Sequence, residues 1–204
     1  MIRHDYPGKF IVIEGLDGSG KSAQVDLLAH FLRQQGKDVL LKNEPTTESE
    51  AGIKIRKILK GEIKADPMER QKLFVQDRTE HLKNKIIPAL KEGKFVVCSR
   101  YAFSTIAYGY SDGLSVDLLV NMNKDFLLPD ATLLINVSPK ECIRRIKARG
   151  QAIELFEREK KLIKVNEIYQ KLPNMFDNIF MVNGERSIEK VFEEIKNILE
   201  KLWT

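Results

Sequence analysis

The sequence predicts an α/β doubly wound domain, a mainly parallel sheet covered by helices on both faces. Three observations carry that expectation. Short apolar runs at 10–14, 38–41, 95–98, 132–137 and 179–182 alternate with longer stretches of helical period. The first run passes through Gly15-Leu16-Asp17-Gly18-Ser19-Gly20-Lys21-Ser22 directly into an amphipathic segment. The chain has 204 residues, 43% apolar and 31% charged, which suits a single domain over 1–204 with a substantial core and room for a small lid.

The elements follow in order. The first helix, about 21–35, puts Val25, Leu28, Ala29 and Leu32 on one side and stops at Gly36, a good C-terminal breaker. From Pro67 to about Leu90 runs a long helical pattern carrying Phe74, Asp77, Arg78 and His81. Pro88 is expected to kink or reshape its last turn, and a turn containing Gly93 leads into the third run. The stretch Cys142 to Gly150 is helical and strongly basic, with Gly150 as a hinge before a second helical run. It reads as the arm of a mobile lid, about 145–158. The last run passes through Asn183-Gly184 into a terminal helix, where Ser187 and Lys190 have the spacing of a capping box without its acidic member. No repeat or low-complexity linker interrupts the pattern.

Composition excludes several classes. The apolar runs are far shorter than the roughly 20 residues needed to span a bilayer, and no signal-peptide run opens the chain, so a cytoplasmic protein with no membrane partner is expected. Cys98 falls in a buried strand and Cys142 in a helix, which reads as two reduced core thiols rather than a disulfide or a zinc site. The formal net charge is +5, yet the lysines alternate with glutamates, as in Glu193-Glu194-Ile195-Lys196. That is a solvated helix surface rather than a nucleic-acid face.

The chemistry lies at the strand ends, where open parallel sheets bind ligands. Gly15 to Ser22 has the form G-x-x-x-x-G-K-S, the phosphate-cradling loop of P-loop NTPases. Glycines at 15, 18 and 20 let backbone N–H groups approach an anion, and the helix that follows directs its positive end there. Lys21 is expected on the β- and γ-phosphates and Ser22 on Mg²⁺. The expected fold is therefore the three-layer P-loop NTPase fold, with a five-stranded sheet. Glu14, Glu44-Pro45-Thr46, Ser99-Arg100-Tyr101 and Asn136-Val137-Ser138 end the other strands or flank the loop. Arg100 is placed to hold an acceptor phosphate, the alternative being a surface arginine without a ligand.

At this point the chain resembles the thymidylate kinase family. The resemblance rests on 10–22, Glu44-Pro45-Thr46, Phe74-Val75-Gln76-Asp77-Arg78-Thr79-Glu80-His81, Arg100-Tyr101 with Ser104 and Ala107-Tyr108, and Arg149-Gly150 followed by Phe156-Glu157. It implies a dTMP kinase that transfers the γ-phosphoryl of ATP to dTMP, with Mg²⁺ as cofactor and a homodimer as the assembly. By the same resemblance Phe74 stacks on thymine, Arg78 binds a base carbonyl, Arg100 grips the dTMP phosphate, Asp17 meets the 3′-OH, and Tyr108 crowds the place of a 2′-OH. Seen singly, Phe74 and Tyr108 read equally well as core aromatics, and Asp17 as a residue that shapes the loop. Glu44, Pro45 and Ser104 join the acceptor site. In the family the lid supplies a cation when the loop carries glycine at the position of Gly18. Arg145, Arg149 and Arg158 are the candidates, with Arg149 the preferred catalytic one and Arg145 toward ATP.

Three departures stand out. Ser99 replaces the family's aspartate, so Glu14 or Asp17 must orient the metal's water shell. Gly109 ends the Ala-Tyr-Gln motif and removes an amide close to the nucleotide. Glu154-Leu155 replaces an Asp-Arg pair in the lid. Two rival readings follow: a kinase with another or broader monophosphate acceptor, and a nucleotide-binding switch with no acceptor. The nearest match to the guanine-reading pattern of switches, Asn123-Lys124-Asp125, has its acid one position early.

Overall fold

Alternation along the first strand, β1 (Lys9–Gly15), decides where the two cores form. Side chains of successive strand residues point to opposite faces. Accordingly Ile11 and Ile13 enter one apolar cluster while Phe10 and Val12 enter the other. A strand buried on both faces reads as a continuous apolar run.

The computed structural model describes residues 1–148 and 155–203, the side chains of 155–158 excepted. After β1 come α1 (Lys21–Gln34), β2 (Val39–Asn43), α2 (Glu50–Leu59) and α3 (Pro67–His81). The chain continues through α4 (Ile87–Lys91), β3 (Phe95–Ser99), α5 (Ala102–Ser111), α6 (Val116–Met122) and β4 (Ala131–Asn136). The last elements are α7 (Pro139–Ala148), α8 (Leu155–Lys171), β5 (Ile179–Asn183) and α9 (Ile188–Trp203). The five strands are ordered β2-β3-β1-β4-β5, and every pairing is parallel. In register, Ile13 lies beside Ser99 and Leu133, so Gly15, Ser99 and Asn136 end at one rim of the sheet. Because β1 leads to strands on one side while β4 and β5 lie on the other, the loop after β1 opens at a topological switch point.

The expected helix over 67–90 is present with one change of pitch. A π-helical turn, Leu82–Ile86, joins α3 to α4 one residue before the Ile87-Pro88 pair. Pro88 has no N–H to donate, so the chain reaches it through the wider turn and stays helical. Leu82, Ile86, Ala89 and Leu90 pack under Phe10, Val12 and Val96 on that face of the sheet.

The boundary residues act as their chemistry predicts. Ser49 accepts from Gly52 N at 2.8 Å, Asp66 from Glu69 N at 2.9 Å, and Ser115 from Leu118 N, so α2, α3 and α6 each have a side-chain cap. In α1 the capping position is Gly20, with no side-chain acceptor. Among the described residues no helix is long and apolar enough to cross a membrane. Cys98 and Cys142 are both free and buried.

Candidate active site

The loop Gly15 to Ser22 is held in a shape that only glycine tolerates at its turning points. Gly18 has φ 87° and Gly20 has φ 97°. A side chain on Gly18 would also strike the carbonyl oxygen of Cys142, 2.6 Å from its Cβ, because α7 packs straight onto the loop. An arginine at this position is therefore sterically excluded. The same helix supplies one instead: Arg145 donates to Ser19 O at 3.4 Å and Gly184 O at 3.1 Å, and is steadied by Glu141 at 2.7 Å. Hydrogen bonds from Arg144, at 2.7 and 2.8 Å, and from Arg145 hold Glu141 ionised, with a pKa of about 2.

Lys21 bends back and donates to the carbonyls of Gly15 and Leu16 at 3.0 and 2.7 Å. Burial, with repulsion from Arg100, pushes its pKa down to about 7. Next to it Ser22 is exposed, and the uncapped first turn of α1 leaves backbone N–H donors facing the loop. An anion seated here would receive those donors, the helix's positive end and Lys21 together.

Beside the loop opens a cavity of about 340 Å³. All eight residues that the resemblance assigns to the acceptor line it: Asp17, Glu44, Pro45, Phe74, Arg78, Arg100, Ser104 and Tyr108. They come from the P-loop, the segment after β2, α3, the end of β3 and α5. The polar ones among them are fixed by contacts made elsewhere. Arg78 is 1% exposed; it donates to Glu44 at 2.7 and 2.8 Å and to Asn123 at 2.6 Å, and its guanidinium lies over the Tyr101 and Phe126 rings. His81 Nδ1 lies 3.0 Å from the other oxygen of Glu44. Asp77, equally buried, accepts from Thr46 N at 2.8 Å and from the hydroxyls of Thr46 and Ser49, which pins the segment after β2. Arg56 closes that segment from the other side by donating to Pro45 O and Thr46 O.

Arg100 joins the two halves. It has φ 67°, the left-handed region in a residue with a side chain, a strain that recurs at ligand clamps. Its guanidinium donates to Asp17 at 2.5 Å and Ser104 at 2.8 Å, reaches the hydroxyls of Tyr108 and Tyr169 at 3.4 Å, and stacks over the Tyr108 ring. Burial alone would raise the pKa of Asp17, but Arg100 and Lys21 outweigh it and bring it to about 2. Glu14 lies fully buried beneath, accepting from Tyr101 N, Ser104 N, the Ser104 hydroxyl and the Tyr169 hydroxyl at 2.6–3.0 Å. It anchors the start of α5, so Asp17 is the more accessible of the two carboxylates considered for the metal's waters.

A family model described as thymidylate kinase matches residues 13–195. The chain is similar to the probable thymidylate kinase of Pyrococcus abyssi, 42% identical over 193 residues that cover 92% of this chain and 94% of that one. The thymidylate kinases of Desulfotalea psychrophila and Caldicellulosiruptor saccharolyticus are 38% and 35% identical, each with more than nine-tenths of both chains covered. The chain belongs to the thymidylate kinase family. Its activity is accordingly that of a nucleoside monophosphate kinase, a phosphotransferase. The comparisons support the thymidylate acceptor and give nothing to a different one.

Several residues in or beside the cavity escaped the sequence reading. Gln71, Thr105 and Asp112 line the same cavity. Gln71 could have been found, since it precedes Phe74 by three and Arg78 by seven on one stripe of α3. Tyr169 could not, because α8 reaches the site from 65 residues beyond Ser104. Arg149 lies outside the described residues, as does the side chain of Arg158. Residues 145–148 continue α7 and 155–158 begin α8, so the described parts of the expected lid are helix ends.

Proposed function

We propose that this kinase transfers the γ-phosphoryl of ATP to dTMP, giving dTDP and ADP, with the phosphates of ATP on residues 15–22 and dTMP in the cavity beside them. The observation that carries the reading is Arg100, which touches Asp17 of the phosphate loop and Ser104 and Tyr108 of the cavity at once. A cation in that place serves the acceptor phosphate and lies next to the transferring group.

In this reading the backbone of Gly15, Leu16, Gly18, Ser19 and Gly20 cradles the phosphates and Lys21 leaves its loop carbonyls for them. The acceptor phosphate takes over Arg100 from Asp17, which frees the Asp17 carboxylate for the deoxyribose 3′-OH. Phe74 stacks on thymine, Arg78 donates to a base carbonyl, and Tyr108 fills the place a 2′-OH would need. The acceptor oxygen is already anionic at neutral pH, so it attacks the γ-phosphorus without a general base, and positioning and charge do the rest. Arg145 brings positive charge to the ATP side, and the segment 145–158 with Arg149 and Arg158 serves as the lid.

The residues present fit a magnesium ion carried by the nucleotide. Among the described residues no group of three or more His, Cys, Asp or Glu could hold a metal by itself. Magnesium bound through phosphates needs few protein ligands, and the exposed Ser22 hydroxyl with the ionised Asp17, or Glu14 through water, would hold it. When bound it neutralises phosphate charge as bonds shift. A cytoplasmic homodimer, with 67–90 contributing to the interface, completes the proposal.

The test is ADP release measured with dTMP, dUMP, dGMP and dCMP in turn. The expected result is a kcat/KM for dTMP at least tenfold above the others, about 1.4 kcal/mol in transition-state terms. Equal turnover of all four sinks the acceptor assignment. Arg100→Ala is expected to lower kcat/KM for dTMP by about 10³, in line with the loss of a charge-stabilising donor.

A further inference from the structure

The amide of Gln71 bonds to none of the described residues. Gln71 is 3% exposed and lines the acceptor cavity, yet it makes no hydrogen bond to any described residue. Its amide is not sealed within the protein but opens on the cavity, so its donor and acceptor stay available to a group that arrives with the ligand. Its position is equally specific. A Cβ on Gly109 would lie 2.8 Å from Gln71 Nε2 and 2.6 Å from Leu119 Cδ2. The amide of Gln71 therefore rests on the bare backbone of α5, where the Ala-Tyr-Gln motif would place a glutamine of its own. Gln71, Phe74 and Arg78 share one stripe of α3 and face the cavity together.

We propose that Gln71 is a specificity-determining residue that reads the imide edge of the pyrimidine: its Oε1 accepts the N3–H while Nε2 donates to a neighbouring ring carbonyl. The amide lost at Gly109 is thus supplied from the opposite helix, and the two positions depend on each other. This assignment rests on the proposed dTMP site.

Gln71→Met keeps the length of the side chain and removes both hydrogen-bonding groups. The kinetics of wild type and variant are compared on dTMP and on N3-methyl-dTMP, which lacks the imide proton, together with the KM for ATP and the melting temperature. The expected result is a rise of about tenfold in KM for dTMP, the size of one hydrogen bond to a desolvated polar group. The KM for ATP stays unchanged, and the preference for dTMP over its N3-methyl analogue shrinks by the same factor. The melting temperature stays level or rises, because the amide removed bonds to none of the described residues and the chain that replaces it is of similar length. A KM for dTMP equal to wild type overturns the proposal. So does an equal loss on both substrates, or a lowered melting temperature with unchanged preference, each of which marks Gln71 as a packing residue. A wild-type enzyme that fails to phosphorylate dTMP at all would instead overturn the acceptor reading.

Discussion

The phosphate loop and the cavity proposed for the acceptor meet at Asp17 and Arg100, but they are built in different ways. The loop is one continuous stretch, shaped by glycines and completed by backbone N–H groups and a single lysine. Where α2, α3 and α6 carry a capping side chain, α1 starts at Gly20 without one, so its donors stay available. The cavity is assembled from separate elements, and its side chains are locked by two buried networks, Glu44 with Arg78, His81 and Asn123, and Asp77 with Thr46 and Ser49. A site that recognises phosphate can be made of main chain, because every residue offers an N–H and a phosphate has the same face in every nucleotide. A site that recognises one base needs side chains in fixed positions, and these hold still only when their remaining hydrogen-bonding groups are occupied.

Lys21→Met gives the sharpest contrast between the two. It is expected to lower kcat by about 10³, near 4 kcal/mol, while folding stability is kept or improved, since the lysine is buried with a depressed pKa. A large drop in melting temperature would show that the loop depends on this side chain for its shape.

Glu44→Ala should act in the reverse order. It leaves Arg78 buried without its carboxylate, a change that costs about 3 kcal/mol or more of stability, and a higher KM for dTMP accompanies it. Chemical denaturation measures the first and steady-state kinetics the second. Wild-type stability in this variant would break the claim that ion pairing fixes the cavity.

The third contrast concerns pH in the absence of nucleotide. Lys21 has a pKa of about 7 in the folded protein against 10.5 as an ordinary lysine, so between these values the unfolded chain holds the extra proton. Stability therefore rises with pH across that window, by at most about 1.4 kcal/mol per unit, and levels off on either side. Melting temperatures of wild type relative to Lys21→Met from pH 7 to 10 should show this rise; parallel curves would mean that the lysine is not desolvated.

Much of this molecule is legible without coordinates. The five apolar runs became the five strands with ends moved by at most two residues, and β1, β3 and β4, largely buried on both faces, can hold little else. The phosphate loop is legible because its function needs consecutive residues. Of the eight residues expected at the acceptor, Arg100 was legible from its place at a strand end and others only through resemblance, and it is packing that brings them to one cavity.

Sequence alone determined the alternation of strands and helices, the loop and its lysine, all of which depend on neighbours in the chain. Tertiary structure decided the rest. It turned every strand parallel around β1, drew Arg145 to the loop where Gly18 leaves no space, gave Arg100 its strained place between two sites, and left Gln71 unpaired above Gly109. These depend on residues 30 to 130 positions apart, whose meeting is set by burial and close packing rather than by any local pattern.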